Sequence, residues 1–117
     1  MDLRALRPVE PAVARDADLR RWRSQFPDIT PIADVQPRRR ATVIGVIEAV
    51  RLFPGKALEV TVSDGSGELI AAWTGRTNIP GLELGGGLRL EGTVAFEGDG
   101  DRRMRNPSWV PITEPYS

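Results

Sequence analysis

From about residue 40 onward, apolar and polar positions alternate with the two-residue period of half-buried strands. Residues 57–64 (ALEVTVSD) show it most cleanly, with Leu58, Val60 and Val62 on one face and Glu59, Thr61 and Ser63 on the other. Asp64-Gly65-Ser66-Gly67 is a hairpin turn whose glycines accommodate positive φ. Carrying the register across it predicts a return strand over 68–74, with Leu69, Ala71 and Trp73 inward and Ile70, Ala72 and Thr74 outward. Upstream, residues 41–53 (ATVIGVIEAVRLF) read as one long strand. Gly45 inside it marks a bulge or sharp bend, which lets one strand serve both halves of a small barrel. Pro54-Gly55 turns that strand into the next. Residues 75–86 form a non-strand connection with room for a helical turn. Residues 87–96 alternate again, with Leu88, Leu90, Val94 and Phe96 inward and Gly92 at a bend. Glu97-Gly98-Asp99-Gly100-Asp101 is a second hairpin turn, and residues 102–110 close the sheet, their pairing interrupted at Asn106-Pro107.

The first third of the chain follows a different period. Residues 1–10 lack sustained periodicity and read as a loose arm. Leu19, Trp22 and Phe26 recur at helical spacing after a start at Pro11 or Asp16, with Asp16 and Asp18 available as caps and Pro27 as the stop. Residues 27–37, with three prolines, read as an irregular connector. The expected organisation is an arm, helix and connector over 1–37, a β domain over 38–112 and a tail over 113–117. Five strands whose longest connection lies between the third and fourth match an all-β, five-stranded Greek-key OB-fold barrel, here with a short N-terminal helix. Trp109 is expected to pack on the Leu19–Trp22 stripe.

Composition narrows the chemistry. A chain of 117 residues that is 40% hydrophobic and 27% charged suits one globular domain. Cysteine and histidine are both absent, which removes disulfides, thiolate zinc sites and the usual general base near neutral pH. No apolar run reaches the roughly 18 residues of a membrane span, and Met1-Asp2-Leu3-Arg4 lacks a signal-peptide core. The expected location is cytoplasmic, with no membrane partner. The formal charge is zero but unevenly spread. Residues 1–56 hold eleven Arg and Lys against seven Asp and Glu, and residues 57–117 hold five against nine. Overall neutrality weighs against a polyanion partner, while a basic first half leaves room for a local patch.

Three stretches carry a resemblance: V-x-G-V-I-x-x-V-R from Val43 to Arg51, V-x-V-x-D-G-S-G from Val60 to Gly67, and M-x-N-P-x-W from Met104 to Trp109. Together they resemble the OB-type wedge domain of the branch-migration helicase RecG. The W-x-G-R-x-x-I-P-G-x-x-x-G stretch (Trp73, Gly75, Arg76, Ile79, Pro80, Gly81, Gly85) is closer still to small stand-alone bacterial OB-fold nucleic-acid-binding proteins. The resemblance covers about residues 38–112 and implies an OB fold that binds nucleic acid. The chain contains no helicase motif, so the resemblance implies binding without translocation.

Sequence-tolerant binding of single strands needs cations along a groove and rings on which bases stack. The candidates are Arg38, Arg39 and Arg40 entering the first strand, Arg51, Phe53 and Lys56 around the first hairpin loop, and Arg76 after the third strand. Trp73 alternates with Leu69 and Ala71 and is assigned to the core. The outward positions of the second and third strands carry neither ring nor cation, and Ile70 and Ala72 there form a small apolar patch. Arg102, Arg103 and Arg105 sit beside the acids of the second hairpin turn, which predicts local ion pairing. That turn lacks the ligand set of an EF-hand loop, so no metal site is expected. Gly85-Gly86-Gly87 precedes a strand, unlike a phosphate-binding loop. With no catalytic constellation and no cofactor motif, the chain is not expected to be an enzyme. The leading expectation is a sequence-tolerant nucleic-acid-binding module for single-stranded or junction DNA. The alternative is a protein-interaction domain, accessory or self-associating, supported by the neutral charge and the apolar patch. A saccharide-binding role lacks an exposed aromatic platform.

Overall fold

Described in the computed structural model are residues 11–98 and 100–113. The arm expected over residues 1–10, Asp99 of the second hairpin turn and residues 114–117 of the tail lie outside the described residues. Helix α1 spans Pro11–Arg23. Proline suits a first helical turn, where its missing N–H is not needed. With that start, Asp16 and Asp18 fall inside the helix and do not cap it; Asp18 instead pairs with Arg21 one turn on at 3.0 Å. Arg20, Arg21 and Arg23 in the last turn complement the negative end of the helix dipole. After Pro27 the connector runs irregularly to a single 3-10 turn at Ile32–Asp34.

The strands are β1 (Arg40–Phe53), β2 (Ala57–Ser63), β3 (Glu68–Thr74), β4 (Gly87–Glu97), β5 (Asp101–Arg105) and β6 (Ser108–Ile112). β1 pairs antiparallel with β4 along its first half and with β2 along its second, so it serves both halves of the sheet. The order β1-β2-β3-β5-β4, closed by β4 on β1 and with β3 parallel to β5, is the OB barrel. The fifth barrel strand is in two pieces. β5 and β6 both follow β4 antiparallel, but the register slips by one residue between Met104, opposite Val94, and Ser108, opposite Glu91. Asn106, in the left-handed region at φ 50°, and Pro107 form this break. Among the described residues, no helix is long and apolar enough to cross a membrane.

Alternation places the core where the sequence puts it. Val43, Ile47, Leu58, Val60, Val62, Leu69, Trp73, Leu88, Leu90, Val94 and Met104 fill the barrel, with Ile32, Val35 and Ile79 added from the connectors. The bulge in β1 falls at Glu48, between Ile47 and Ala49, rather than at Gly45. Gly45 answers a different need: a side chain there would bring its Cβ within 2.8 Å of Val62 Cβ, because the strands cross closely.

Three further expectations are corrected. Residues 75–86 contain tight turns and no helical turn. Phe96 is 44% exposed: it pairs with Arg102 beyond the layer filled by Val94 and Met104, where the barrel interior ends. Trp109 does not pack on the helix. The break at residues 106–107 sets it opposite Leu90, against the main core and edge-on to Trp73 at 5.9 Å. The helix stripe has its own small core instead: Leu19 and Trp22 cover Ile44 and Val46 on the outer side of β1, with Phe26, Ile29 and Ile112 at its margin.

Candidate nucleic-acid interface

The outward face of β1, β2, β3 and β5 is built in rows by strand register. One row runs Arg51, Glu59, Ala72, Arg105, and the next runs Ala49, Thr61, Ile70, Arg103. Phe53, Ala57 and Thr74 form a third row at the loop 54–56 that joins β1 to β2. The face is therefore mostly small side chains between charged ones.

Four of the sequence candidates border the loop end, Arg51 and Phe53 on the outward face and Arg76 turned to Trp109 on the core side. The Arg51 guanidinium lies 5.3 Å from the centre of the Phe53 ring. Lys56 closes the turn by donating its N–H to Phe53 O at 2.9 Å, and its own carbonyl accepts the N–H of Gly75 at 2.8 Å. That second bond ties the loop to the start of the β3–β4 connection, which carries Arg76. Gly75 has φ 72°, so the chain turns sharply there. Arg76 lies over the Trp109 ring at 5.0 Å. Each such cation–ring contact is worth about 0.5–1 kcal/mol at an exposed site. None of Arg51, Lys56 and Arg76 has an ion-pair partner among the described residues. Glu59, the acid opposite Arg51, is turned to Arg103 instead, at 2.9 Å.

Arg38, Arg39 and Arg40 are not part of this group. They sit at the other end of β1, where Arg38 (φ 66°) donates its N–H to Val94 O and Arg39 O accepts the N–H of Val94. Arg40 is bound to Glu91 at 2.8 Å, and this pairing holds the Glu91 carboxyl below the usual carboxylate range. All three are exposed. Trp73 is buried, with its Nε1 donating to Pro107 O at 3.0 Å, so it presents no stacking surface.

Two cations on the face escaped the sequence reading as face residues. β5 runs parallel beside β3, which sets Arg103 next to Ile70 and Arg105 next to Ala72. The alternation around Met104 holds the signal that both point outward; it takes the β3–β5 pairing to show which face they join. The expected ion pairing is present for two of the three arginines: Glu97 accepts from Arg105 at 2.7 Å and from Arg103 at 3.2 Å, while Arg102 makes no ion pair among the described residues. The bond from Arg105 holds the Glu97 carboxyl below its usual range, and the bond to Glu59 raises Arg103 further. Towards the other edge the face turns acidic. Loss of hydration, then a shared hydrogen bond with Glu48 and its like charge, raises the Glu68 carboxyl, with Asp101 adding to the effect and Arg15 opposing it. Among the described residues, no group of three or more carboxylates is placed to hold a metal ion.

No family profile matches the chain, and no curated protein matches it in sequence. Solved structures do match it in fold. The chain is similar to a Replication Protein A heterotrimer bound to ssDNA (TM-score 0.53, 15% identity, covering 64% of this chain and 58% of that one). It is similar to RecG bound to a three-way DNA junction (TM-score 0.56, 21% identity, 75% of this chain and 13% of that one). It is also similar to the replication factor A related protein of Methanobacterium thermoautotrophicum (TM-score 0.57, 17% identity, 74% of this chain and 94% of that one). At these identities the likeness is one of fold, and the match spans 58% and 13% of the first two chains' own length.

Proposed function

We propose that the chain is a sequence-tolerant nucleic-acid-binding OB module that takes single-stranded or junction DNA at the 54–56 loop end of its outward face. The observation that supports this reading is that Arg51, Lys56 and Arg76 all border the 54–56 loop with no carboxylate partner among the described residues, Arg51 lying against Phe53 and Arg76 against Trp109. Phosphates neutralised by these cations would bring bases over Phe53, whose half-buried ring is a stacking platform once Arg51 swings to a phosphate. Arg38 and Arg39 form a second basic point that a longer strand or a junction arm reaches. In this reading the chain binds and performs no chemistry. The ligands in two of the similar solved structures, single-stranded DNA and a three-way junction, support the choice of ligand class.

Fluorescence anisotropy with labelled single strands and forks tests it. Three phosphate contacts on a single strand predict a log–log salt slope of about −2. Replacing Arg51, Lys56 and Arg76 together with alanine is expected to flatten that slope. No binding up to about 100 μM at low salt, near the non-specific range, would end the reading.

A second reading is favoured by one observation. Val50 and Leu52 are 43% and 47% exposed on the β1–β2 hairpin, on the side opposite Arg51. Such residues suit a protein partner or a second copy, and the similar heterotrimer supports this only as a class. Sedimentation of the chain alone separates self-association from monomeric binding.

A further inference from the structure

The geometry points to Arg103 and Arg105 as a second phosphate-binding strip, masked by Glu97 and Glu59, whose carboxylates hold the positions that backbone phosphates take on binding. This rests on the nucleic-acid reading above and extends it from the loop end across the sheet. Arg105 stands in the same row as Arg51, three strand spacings or about 14 Å away. Between them lie Glu59, which is turned to Arg103, and Ala72, with Ala49, Thr61 and Ile70 in the adjoining row, so no ring stands between the two arginines along these rows. Glu97 receives both arginines, Arg105 Nη2 at 2.7 Å and Arg103 Nε at 3.2 Å, while Glu59 receives Arg103 Nη1 at 2.9 Å.

A guanidinium fork that fits a carboxylate fits a phosphate equally well. The Arg105 side chain is 74% exposed, and Glu97 stands at the rim as the last residue of β4. The exposed Arg105–Glu97 pair holds weakly in water, so a polyanion offering several phosphates at once displaces it, whereas the Arg103–Glu59 pair, 23% and 19% exposed, is less screened and holds more firmly. The strip carries Arg51, Arg103 and Arg105 against Glu59 and Glu97, a balance of one positive charge; with both carboxylates neutral the balance is three. Glu97 and Glu59 therefore keep the arginines oriented while lowering affinity, which makes binding conditional on a ligand with closely spaced phosphates.

The test is anisotropy with a labelled oligothymidylate of about 15 nucleotides, near the upper site size of one OB fold. The proteins compared are the unaltered chain, Glu97→Gln, Glu97→Gln with Arg105→Ala, and Glu83→Gln as a charge-matched control in the β3–β4 connection. Glu97→Gln is expected to tighten binding about fivefold at low salt, from loss of one exposed competing pair, and to steepen the salt slope by roughly 0.7 for one added phosphate contact. Removing Arg105 in the same chain abolishes the gain, and Glu83→Gln shows none. If the unaltered chain binds and Glu97→Gln binds no better, the masking is wrong while the loop-end site stands. If the gain survives loss of Arg105, it reflects net charge and the strip is again wrong. If neither the unaltered chain nor Glu97→Gln binds up to about 100 μM, both readings fall.

Discussion

Asp64 is fully buried, and both of its oxygens are in use. Oδ1 accepts from Ser66 N at 2.9 Å, Ser66 Oγ at 2.6 Å and Gly67 N at 3.2 Å, while Oδ2 accepts from Ile32 N at 2.9 Å and Arg23 Nη1 at 3.2 Å. One side chain thus ties the β2–β3 turn, the 3-10 turn and the end of α1. Asp64→Ala strands the Ile32 N–H and leaves Arg23, whose side chain is 18% exposed, without its partner. A loss of about 3–5 kcal/mol is expected in urea denaturation, with Asp64→Asn costing less because it keeps an acceptor for the turn. The aspartate was legible in the sequence as the first residue of a turn, since that role depends on its own neighbours. Its bonds to Ile32 and Arg23 were not, because they join residues 32 and 41 positions away. Trp109 and Phe96 show the same division. Alternation gives a side chain's face, but only the register break at residues 106–107 and the end of the barrel layer decide what meets it there.

At the level of elements, β2, β3 and β4 were legible because each alternates over most of its length and ends within two residues of a glycine. The docking of α1 was not. The stripe Leu19–Trp22 announces a buried face without naming the surface that buries it, and Ile44 and Val46 take that role because the barrel needs the other side of β1 for Val43 and Ile47. Gly65 is the point of closest approach. It has φ 84°, and a methyl group there would collide with the carbonyl oxygen of Asp16 in the helix; Arg20 Nε meanwhile donates to Gly65 O at 3.0 Å. Gly55 has a similar φ of 73° with open space around it. Alanine at position 55 should cost about 1 kcal/mol for the left-handed backbone alone. Alanine at position 65 should cost clearly more and undock the helix, seen as faster amide exchange in α1 and a red-shifted Trp22 fluorescence. Equal losses at the two positions would show that the helix does not rest on that turn.

Over the whole molecule, a formal charge of zero conceals a face that is basic at the 54–56 loop and acidic towards Glu68 and Asp101, so the sum over the sequence does not describe this face. Arg40 with Glu91 and Arg103 with Glu59 are cross-strand or cross-sheet pairs, set by register and invisible to counting along the chain. The same arrangement gives the carboxylates opposite effects on stability as pH changes. Glu97 and Glu91 are held below their usual range by arginine. Their stabilisation is present above the unfolded value of about 4.3 and is lost as pH falls through the lower folded value. Glu68 is raised, so its contribution is complete below about 4.3 and is lost as pH rises through its folded value. Two isosteric substitutions should therefore move the melting temperature in opposite directions at pH 7. Glu68→Gln removes the cost of taking that charge out of water and then its repulsion with Glu48, and raises it, whereas Glu97→Gln gives up the pairing with Arg105 and Arg103 and lowers it. Below about pH 4 the carboxyl of Glu68 is neutral in folded and unfolded chains alike, so its difference from glutamine vanishes first, while that of Glu97 persists to lower pH. Melting curves across this range check the order as well as the sign. A Glu68→Gln protein that is less stable than its parent at pH 7 would mean that the attraction of Arg15 outweighs lost hydration and Glu48 together at Glu68.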